Sequence, residues 1–363
     1  MSNAFWSPAL ARLEPYVPGE QPRGQSLIKL NTNENPYPPS PRALEVLSDP
    51  HLADALRRYP DPESGELREV IGAHFGLTSE QVFVGNGSDE VLAHSFYSFF
   101  QRDEPLLFPD ITYSFYPVYC QLYGIDWRTP ALREDFRIDV EDYSGAAAGV
   151  ILPNPNAPSG RCLPLADIER LLQLQPQRVV VIDEAYIDFG GDSAVTLIDR
   201  YPNLLVIRTL SKSYSLAGLR LGFALGQAHL IEGLSRTKNS FNSYPVDAIA
   251  QRVAAAAICD SAYFKACCDK VIASRSWTTE ALRTLGFDVV PSKANFILAR
   301  PPGISAEALY RELRARNILV RYFNKPRISE YLRISIGTET EMQALVQCCK
   351  EITGKHAGGT GAL

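Results

Sequence analysis

Lys212 stands alone between two apolar runs, LLVI (204–207) and GFAL (222–225), flanked by Ser211, Ser213 and Ser215, with Arg220 eight positions on. An apolar run of that kind reads as a buried parallel strand, which places the lysine just past a strand end. Burying a free cation is costly, so a lysine and an arginine between buried strands need an anionic or electrophilic partner. A lysine that loses its proton through partial burial and nearby cations becomes a nucleophile able to capture a carbonyl as an imine. The bland alternative is a surface loop carrying two solvated cations.

The neighbouring strand ends decide between the two. From Gln81 a strand-then-helix rhythm sets in, with apolar runs at 82–84, 106–108, 149–152, 178–182 and 204–207. Uninterrupted apolar strands alternating with helices predict an α/β fold with a mostly parallel sheet flanked by helices on both faces. Ligands bind such sheets outside the carboxyl ends of the strands. Ser88 and Asp89 follow the first strand and open a helix, where free N–H groups and the helix dipole favour an anion such as phosphate. Tyr113 follows the second strand, NPNAPSG (154–160) the third, and Asp183-Glu184-Ala185-Tyr186 the fourth. Ser211 and Lys212 follow the fifth. Each has a structural excuse by itself; together they read as a site. A buried carboxylate can keep a heteroaromatic ring nitrogen protonated, an aromatic side chain can stack on the ring, and serine with arginine at a helix start can hold a phosphate.

Other elements must carry these groups. Helices are expected over 41–47, within 57–76 (Leu67, Val70, Ile71 and Phe75 at helical spacing), over 91–100, and from Pro164 to just before Pro176. Beyond about residue 245 the rhythm changes to one long helical tract (246–285). Strands at 288–290, 296–298, 318–320 and 332–336 and helices at 305–316 and 339–352 then make a smaller α+β unit. The expected division is an N-terminal arm (1–40) joining the small domain, a large domain (41–275), a small domain (276–353) and a tail without structure (354–363).

Composition narrows the function further. The 363 residues are 45% hydrophobic and 21% charged, with a net charge of −5, which gives no reason to expect nucleic acid or an anionic membrane as partner. Seven cysteines form no CxxC pair, and the adjacent pairs Cys267-Cys268 and Cys348-Cys349 read as reduced core residues on helices of a cytoplasmic protein. Five scattered histidines make a metal site unexpected. No signal pattern and no run of membrane-spanning length is present.

NPNAPSG, DEAYIDF and TLSKSYSLAGLRLGF occur in the order that marks the fold type I pyridoxal 5′-phosphate (PLP)-dependent transferases. With LEPYVPGEQP, LNTNENPYPPSP, RYPDP, GNGSDE and YLRISIGT they resemble the histidinol-phosphate aminotransferase branch of that family over nearly the whole chain. The resemblance implies a homodimer with shared active sites. Lys212 would hold the PLP aldehyde as an imine and move the proton, Asp183 would pair with the ring nitrogen, and Tyr186 would donate to the phenolate oxygen. Tyr113 would stack on the ring, while Ser88, Asp89, Ser211 and Arg220 would hold the phosphate with Tyr59 of a second subunit. Arg333, on the opposite face of its strand from Leu332, Ile334 and Ile336, would bind a substrate carboxylate or its equivalent; the bland alternative is a solvated edge arginine. Arg321 would grip a substrate phosphate, and Asn35 would touch substrate. Relatives commonly carry Asn where this chain has Ala157, so Asn156 is the residue expected to reach the phenolate oxygen.

The implied activity moves an amino group between L-histidinol phosphate and 2-oxoglutarate. Aromatic residues such as Tyr16, Tyr37 and Tyr322 at the entrance would instead suit an aromatic amino acid. A decarboxylase of the threonine-phosphate type is a further enzymatic alternative. A non-catalytic ligand-sensing module on the same fold would not need the complete set of Lys212, Asp183, Tyr186 and Arg220, and would be expected to carry an appended DNA-binding domain, for which the 40 residues before the core leave no room.

Overall fold

The computed structural model describes residues 5–16, 19–21 and 27–357. Its strands are β1 (Ile28–Lys29), β2 (Val82–Asn86), β3 (Leu106–Leu107), β4 (Trp127–Arg128), β5 (Gly149–Pro153), β6 (Val180–Asp183), β7 (Leu204–Thr209) and β8 (Leu221–Gly226), followed by β9 (Asp288–Val289), β10 (Phe296–Arg300), β11 (Ile318–Leu319), β12 (Arg321–Tyr322) and β13 (Leu332–Ser335).

Seven strands make the main sheet in the order β2-β8-β7-β6-β5-β3-β4. All run parallel except β8, which is antiparallel to both β2 and β7. Every residue of β5, β6, β7 and β8 is buried, as expected of a sheet covered on both faces. On one face Val150, Leu152, Ile182 and Val206 pack against Leu67, Ile71, Ile168, Leu171 and Val253. On the other, Ile151, Val181, Leu205 and Ile207 meet Val91, Leu92, Phe96, Tyr116 and Leu230. Alternation along each strand therefore supplies two cores, one per face. The reversal at β8 has a local cause. The chain turns back after β7 through the Lys212 loop, so the carboxyl ends of β2, β5, β6 and β7 and the amino end of β8 meet at one edge.

A four-stranded antiparallel sheet follows in the order β12-β13-β10-β9. Its core gathers Ile297, Leu332 and Ile334 with Val271, Leu282, Leu309, Leu313 and Leu345 from the surrounding helices. The segment around residue 30 is tied to this unit rather than left loose. β1 pairs in parallel with β11, Leu30 N donates to Leu319 O at 2.7 Å, and Ser335 N donates to Leu30 O at 3.0 Å.

The helices depart from expectation in several places. The helix after β2 begins at Gly87, four residues early, and runs to Phe99. The tract expected to be continuous from 246 to 285 is two helices, Ala248–Ile258 and Ser261–Thr284, the first capped by Asp247 through its bond from Ala250 N. Two helices give no clear sequence signal. Tyr116–Tyr123 is short, aromatic and carries Pro117 in its first turn; Ala228–Phe241 is continuous but carries Gly233 in its interior. The last helix reaches Ala357, into the stretch expected to lack structure, and residues 358–363 lie outside the described residues. Cys267, Cys268, Cys348 and Cys349 are all buried with free thiols.

Candidate active site

At the carboxyl edge of the main sheet lies a cavity of about 490 Å³, walled on its far side by the four-stranded sheet and by residues 31–34. Its floor is built at the start of helix Gly87–Phe99, where Ser88 and Asp89 face the cavity. Two glycines make that floor possible. A Cβ on Gly222 would collide with Ser88 N, and Gly87, at φ 78°, would meet Arg220 Nη2 at 2.6 Å. Arg220 can therefore lie across the helix start, its Nη2 3.3 Å from Asp89 Oδ2 and its Nη1 3.5 Å from Ser211 Oγ. Free helix N–H groups, a serine and an arginine converge there, which is a setting for an anion.

Asp183 closes the end of β6. It accepts from Tyr116 Oη at 2.9 Å and from Ala185 N at 3.2 Å. Burial pushes its carboxyl up to about 6, against the downward pull of those two hydrogen bonds and of Lys212. Lys212 Nζ donates to Thr32 O at 3.2 Å and lies 5.8 Å from the Tyr186 ring centre. Its loop is pinned beneath: Ser213 Oγ donates to Asp188 Oδ2 at 2.6 Å, and Asp188 is paired with the buried Arg208. Arg208 also reaches Glu184 Oε2 at 3.2 Å. Burial lifts the Glu184 carboxyl to about 7, with Arg208 as the main opposing influence.

Two aromatic hydroxyls face the same space. Tyr113 donates to Asp89 Oδ1 at 3.0 Å, and burial holds its phenol protonated well above the usual range. Tyr186 accepts from Asn33 Nδ2 at 3.1 Å, and its ring meets Phe296 edge-on at 5.0 Å.

The outer wall is cationic. Arg333 donates through Nη2 to Asn31 O at 2.8 Å, while its Nε is buried with no hydrogen-bond partner. Its guanidinium lies 5.5 Å from the Phe296 ring and 5.4 Å from Phe323, and burial lowers its pKa. Arg321 lies over Phe323 at 5.3 Å. Arg327 donates to Asp110 Oδ2 at 2.6 Å and to Leu132 O at 2.7 Å, anchoring the 323–328 loop to the main sheet's edge. Lys212, Arg220, Arg321, Lys325, Arg327 and Arg333 line the cavity against Glu34, Asp89, Asp110 and Asp183. That excess suits a substrate with more than one negative charge.

The cavity thus brings together Ser88, Asp89, Tyr113, Asp183, Tyr186, Ser211, Lys212, Arg220, Arg321 and Arg333 from the sequence reading. Three expected site residues stand elsewhere. Asn156 does not line the cavity: its Nδ2 is used by Ile111 O at 3.1 Å and Ser159 Oγ at 3.0 Å, and Ala157 and Pro158 form that stretch of wall. Asn35 does not line it either; its amide holds the lysine loop, donating to Lys212 O at 3.0 Å and Ser213 O at 3.2 Å. Tyr59 is 81% exposed and stacks on Tyr244 at 4.7 Å, away from the cavity of its own chain. Of the aromatic residues expected at the entrance, Tyr16 lines it, whereas Tyr322 stacks on Tyr310 and Tyr37 lies beside Lys270.

Sequence reading missed Tyr116, Thr32 and Asn33. Tyr116 follows Tyr113 by one helical turn's spacing in YSFY, a signal legible only once that helix is recognised.

The chain that builds this site is matched by the family model "Aminotransferase class I and II" over residues 25–348, and it belongs to that family. Histidinol-phosphate aminotransferase from Acetobacter pasteurianus is 56% identical over 350 residues, covering 96% of this chain and 98% of the relative. Histidinol-phosphate aminotransferase 1 from Pseudomonas aeruginosa is 57% identical over 344 residues, 95% of this chain and 98% of the relative. Among solved structures, histidinol-phosphate aminotransferase from Sinorhizobium meliloti in complex with pyridoxal-5′-phosphate aligns with a TM-score of 0.87 at 24% identity, covering 98% of this chain and 99% of that one. At that identity the likeness speaks to the fold. No helix among the described residues is long and apolar enough to cross a membrane.

Proposed function

We propose that this chain is a PLP-dependent aminotransferase that moves an amino group between L-histidinol phosphate and 2-oxoglutarate. The observation that carries this reading is the pairing of Lys212 with a buried Asp183 across a cavity whose outer wall holds a part-buried arginine, its Nε buried, with no carboxylate partner among the described residues. Relatives above 55% identity over nearly their full length bear the histidinol-phosphate aminotransferase name, which supports the substrate.

The residues present fit the cofactor. The glycine-lined helix start with Ser211 and Arg220 would hold its phosphate, Asp183 its ring nitrogen, Tyr113 its ring face, Tyr186 its phenolic oxygen and Lys212 its aldehyde. When bound, PLP supplies an aldehyde that takes up the amino group and a ring that accepts the electron pair released at the substrate carbon. Asp183, once ionised, keeps a positive charge on the ring. The Lys212 amine, held by Thr32 O and free of any carboxylate ion pair among the described residues, is placed to take a proton from one carbon and return it to another. Arg333 and Arg321 orient the substrate by its anionic groups, and their packing on Phe323 and Phe296 keeps both forks rigid.

The same reading makes the main sheet a large cofactor domain (41–275) and the four-stranded sheet a small domain (276–353), with helix Ser261–Thr284 shared between them and residues 1–40 as an arm. It also makes the protein a cytoplasmic homodimer. An exposed aromatic patch of Tyr59, Tyr244 and Phe241 supports the dimer, with Tyr59 reaching the second subunit's site. Mixing Lys212→Ala with Tyr59→Ala subunits then restores activity that neither has alone; no recovery on exchange would argue against shared sites.

The test of the activity is the absorbance of the purified protein, repeated after adding histidinol phosphate. The yellow band of lysine-bound cofactor is expected and should bleach at low histidinol phosphate. A band that ignores histidinol phosphate but bleaches with phenylalanine or tyrosine would move the substrate. No band after adding PLP would end the reading.

A further inference from the structure

We infer that Asn33 is a positioning residue that sets the direction of the Tyr186 hydroxyl proton. The inference rests on the functional reading above, in which Tyr186 serves the cofactor's phenolic oxygen.

Asn33 is 1% exposed and holds a left-handed backbone, φ 57°, a conformation that Asn and Asp tolerate better than other side chains. Its surroundings fix which way the amide faces. Asn33 N donates to Ser335 Oγ at 2.9 Å. The hydroxyl of Ser335 donates to Asn33 Oδ1, also at 2.9 Å. With its oxygen engaged as an acceptor, Asn33 must present Nδ2 to its other neighbour, Tyr186 Oη, 3.1 Å away. The backbone is held from a further side, since Asn295 Nδ2 donates to Asn33 O at 2.9 Å.

A phenol oxygen that accepts from an amide N–H must send its own hydrogen elsewhere. Among the described residues the Tyr186 hydroxyl has no other hydrogen-bond partner, and the side chain lines the cavity. The proton therefore points into the cavity, ready to be donated. Ser335 locks Asn33, and Asn33 directs Tyr186. The chain that sets one proton runs from the four-stranded sheet to the end of β6.

Asn33→Asp keeps shape and backbone tolerance but reverses the logic. A carboxylate accepts from Ser335 and from Tyr186, so the phenol proton turns away from the cavity. A hydrogen bond donated to an anionic oxygen favours its deprotonated form, so losing it raises the pH at which the lysine-bound cofactor changes absorbance. We expect Asn33→Asp and Tyr186→Phe each to raise that midpoint by about one to two pH units, the range of one charge-assisted hydrogen bond.

The added negative charge could raise the midpoint by itself, so the deciding experiment is the double variant. If Asn33 acts through Tyr186, Asn33→Asp placed on Tyr186→Phe produces no further rise. A full second rise, or an Asn33→Asp midpoint equal to wild type, overturns the inference. Should Asn33→Asp fail to fold, Ser335→Ala removes the lock on the amide and is expected to raise the midpoint in the same direction by a smaller amount; an unchanged midpoint there overturns it equally. A wild-type protein that shows no lysine-bound cofactor band would instead sink the functional reading and this inference with it.

Discussion

The hydroxyl of Tyr116 donates to Asp183 Oδ2 across 2.9 Å, from a helix on one face of the main sheet to the end of its β6 strand. Tyr116 is fully buried, so its hydrogen bond to the carboxylate is shielded from water. Its effect opposes the burial that lifts Asp183 to about 6.

A consequence for Tyr116→Phe follows. In the proposed role, Asp183 pairs with the cofactor ring only when ionised, so affinity is expected to fall as pH drops through about 6. Without the phenol the carboxyl titrates higher, and that acid limb moves up in pH. Cofactor affinity at neutral pH is expected to weaken about tenfold, the effect of one hydrogen bond to a charged group. A titration of PLP into both proteins across pH 5 to about 8 checks this; a limb that stays in place, or moves down, would refute the assignment.

Asp183→Asn is expected to stabilise the cofactor-free protein while spoiling it for cofactor. The folded carboxyl titrates above its ordinary value of 3.8, so the folded state binds the proton more tightly than the unfolded chain does. Stability from this group is therefore present at low pH and lost as pH rises from 3.8 through about 6. The lift corresponds to roughly 3 kcal/mol withheld at neutral pH. Thermal unfolding of the cofactor-free variant should show a higher midpoint at pH 7.5 or so, and a gain that shrinks toward pH ~4.

Arg333→Ala should lower kcat/KM by at least about 100-fold, as expected when a charged partner in a buried site is removed. The cofactor band should be untouched, since Arg333 bonds to Asn31 O and packs on Phe296 and Phe323 rather than on the groups assigned to PLP. Lysine at this position should recover only part of the loss, lacking the planar fork. Equal kinetics for wild type and Arg333→Ala would return Arg333 to a structural role.

Arg208→Met leaves the buried Glu184 and the part-buried Asp188 without their shared cation. A loss of about 3–5 kcal/mol is expected. Glu184 already titrates near 7 with the arginine present and would rise further without it, so the folded variant takes up a proton that the unfolded chain does not hold. The penalty is then largest above pH 7 or so and eases as pH falls. Unfolding midpoints of both proteins at pH ~8 and ~6 measure it; a penalty that grows in acid would contradict the sign.

The parts of the site that follow strand ends were legible in the sequence because buried parallel strands are apolar without interruption and the edge they share is fixed by topology. Lys212, Asp183 and Ser88 could be read from position alone. The helix Tyr116–Tyr123 could not, since eight residues with a proline and three aromatics carry little periodic signal, and Tyr116 was lost with it. Asn156 was assigned by likeness to a motif, but its local turn aims the amide at Ile111 O and Ser159. The role of Asn33 depends on Ser335, 302 positions away, a pairing that no local pattern announces.

Three consecutive residues each hold a different member of the site: Asn31 O accepts from Arg333, Thr32 O from Lys212, and Asn33 donates to Tyr186. During synthesis this segment emerges 302 positions ahead of Arg333 and Ser335 and waits for them. Lys212 and Asp183 are already made when β13 is still unmade, and without β13 Asn33 lacks the Ser335 contacts that orient its amide. A chain that ends before β13 lacks Arg333 and the Ser335 contact to Asn33. The residues proposed to grip the substrate are thus the last part of the site to be made, after the groups assigned to the cofactor.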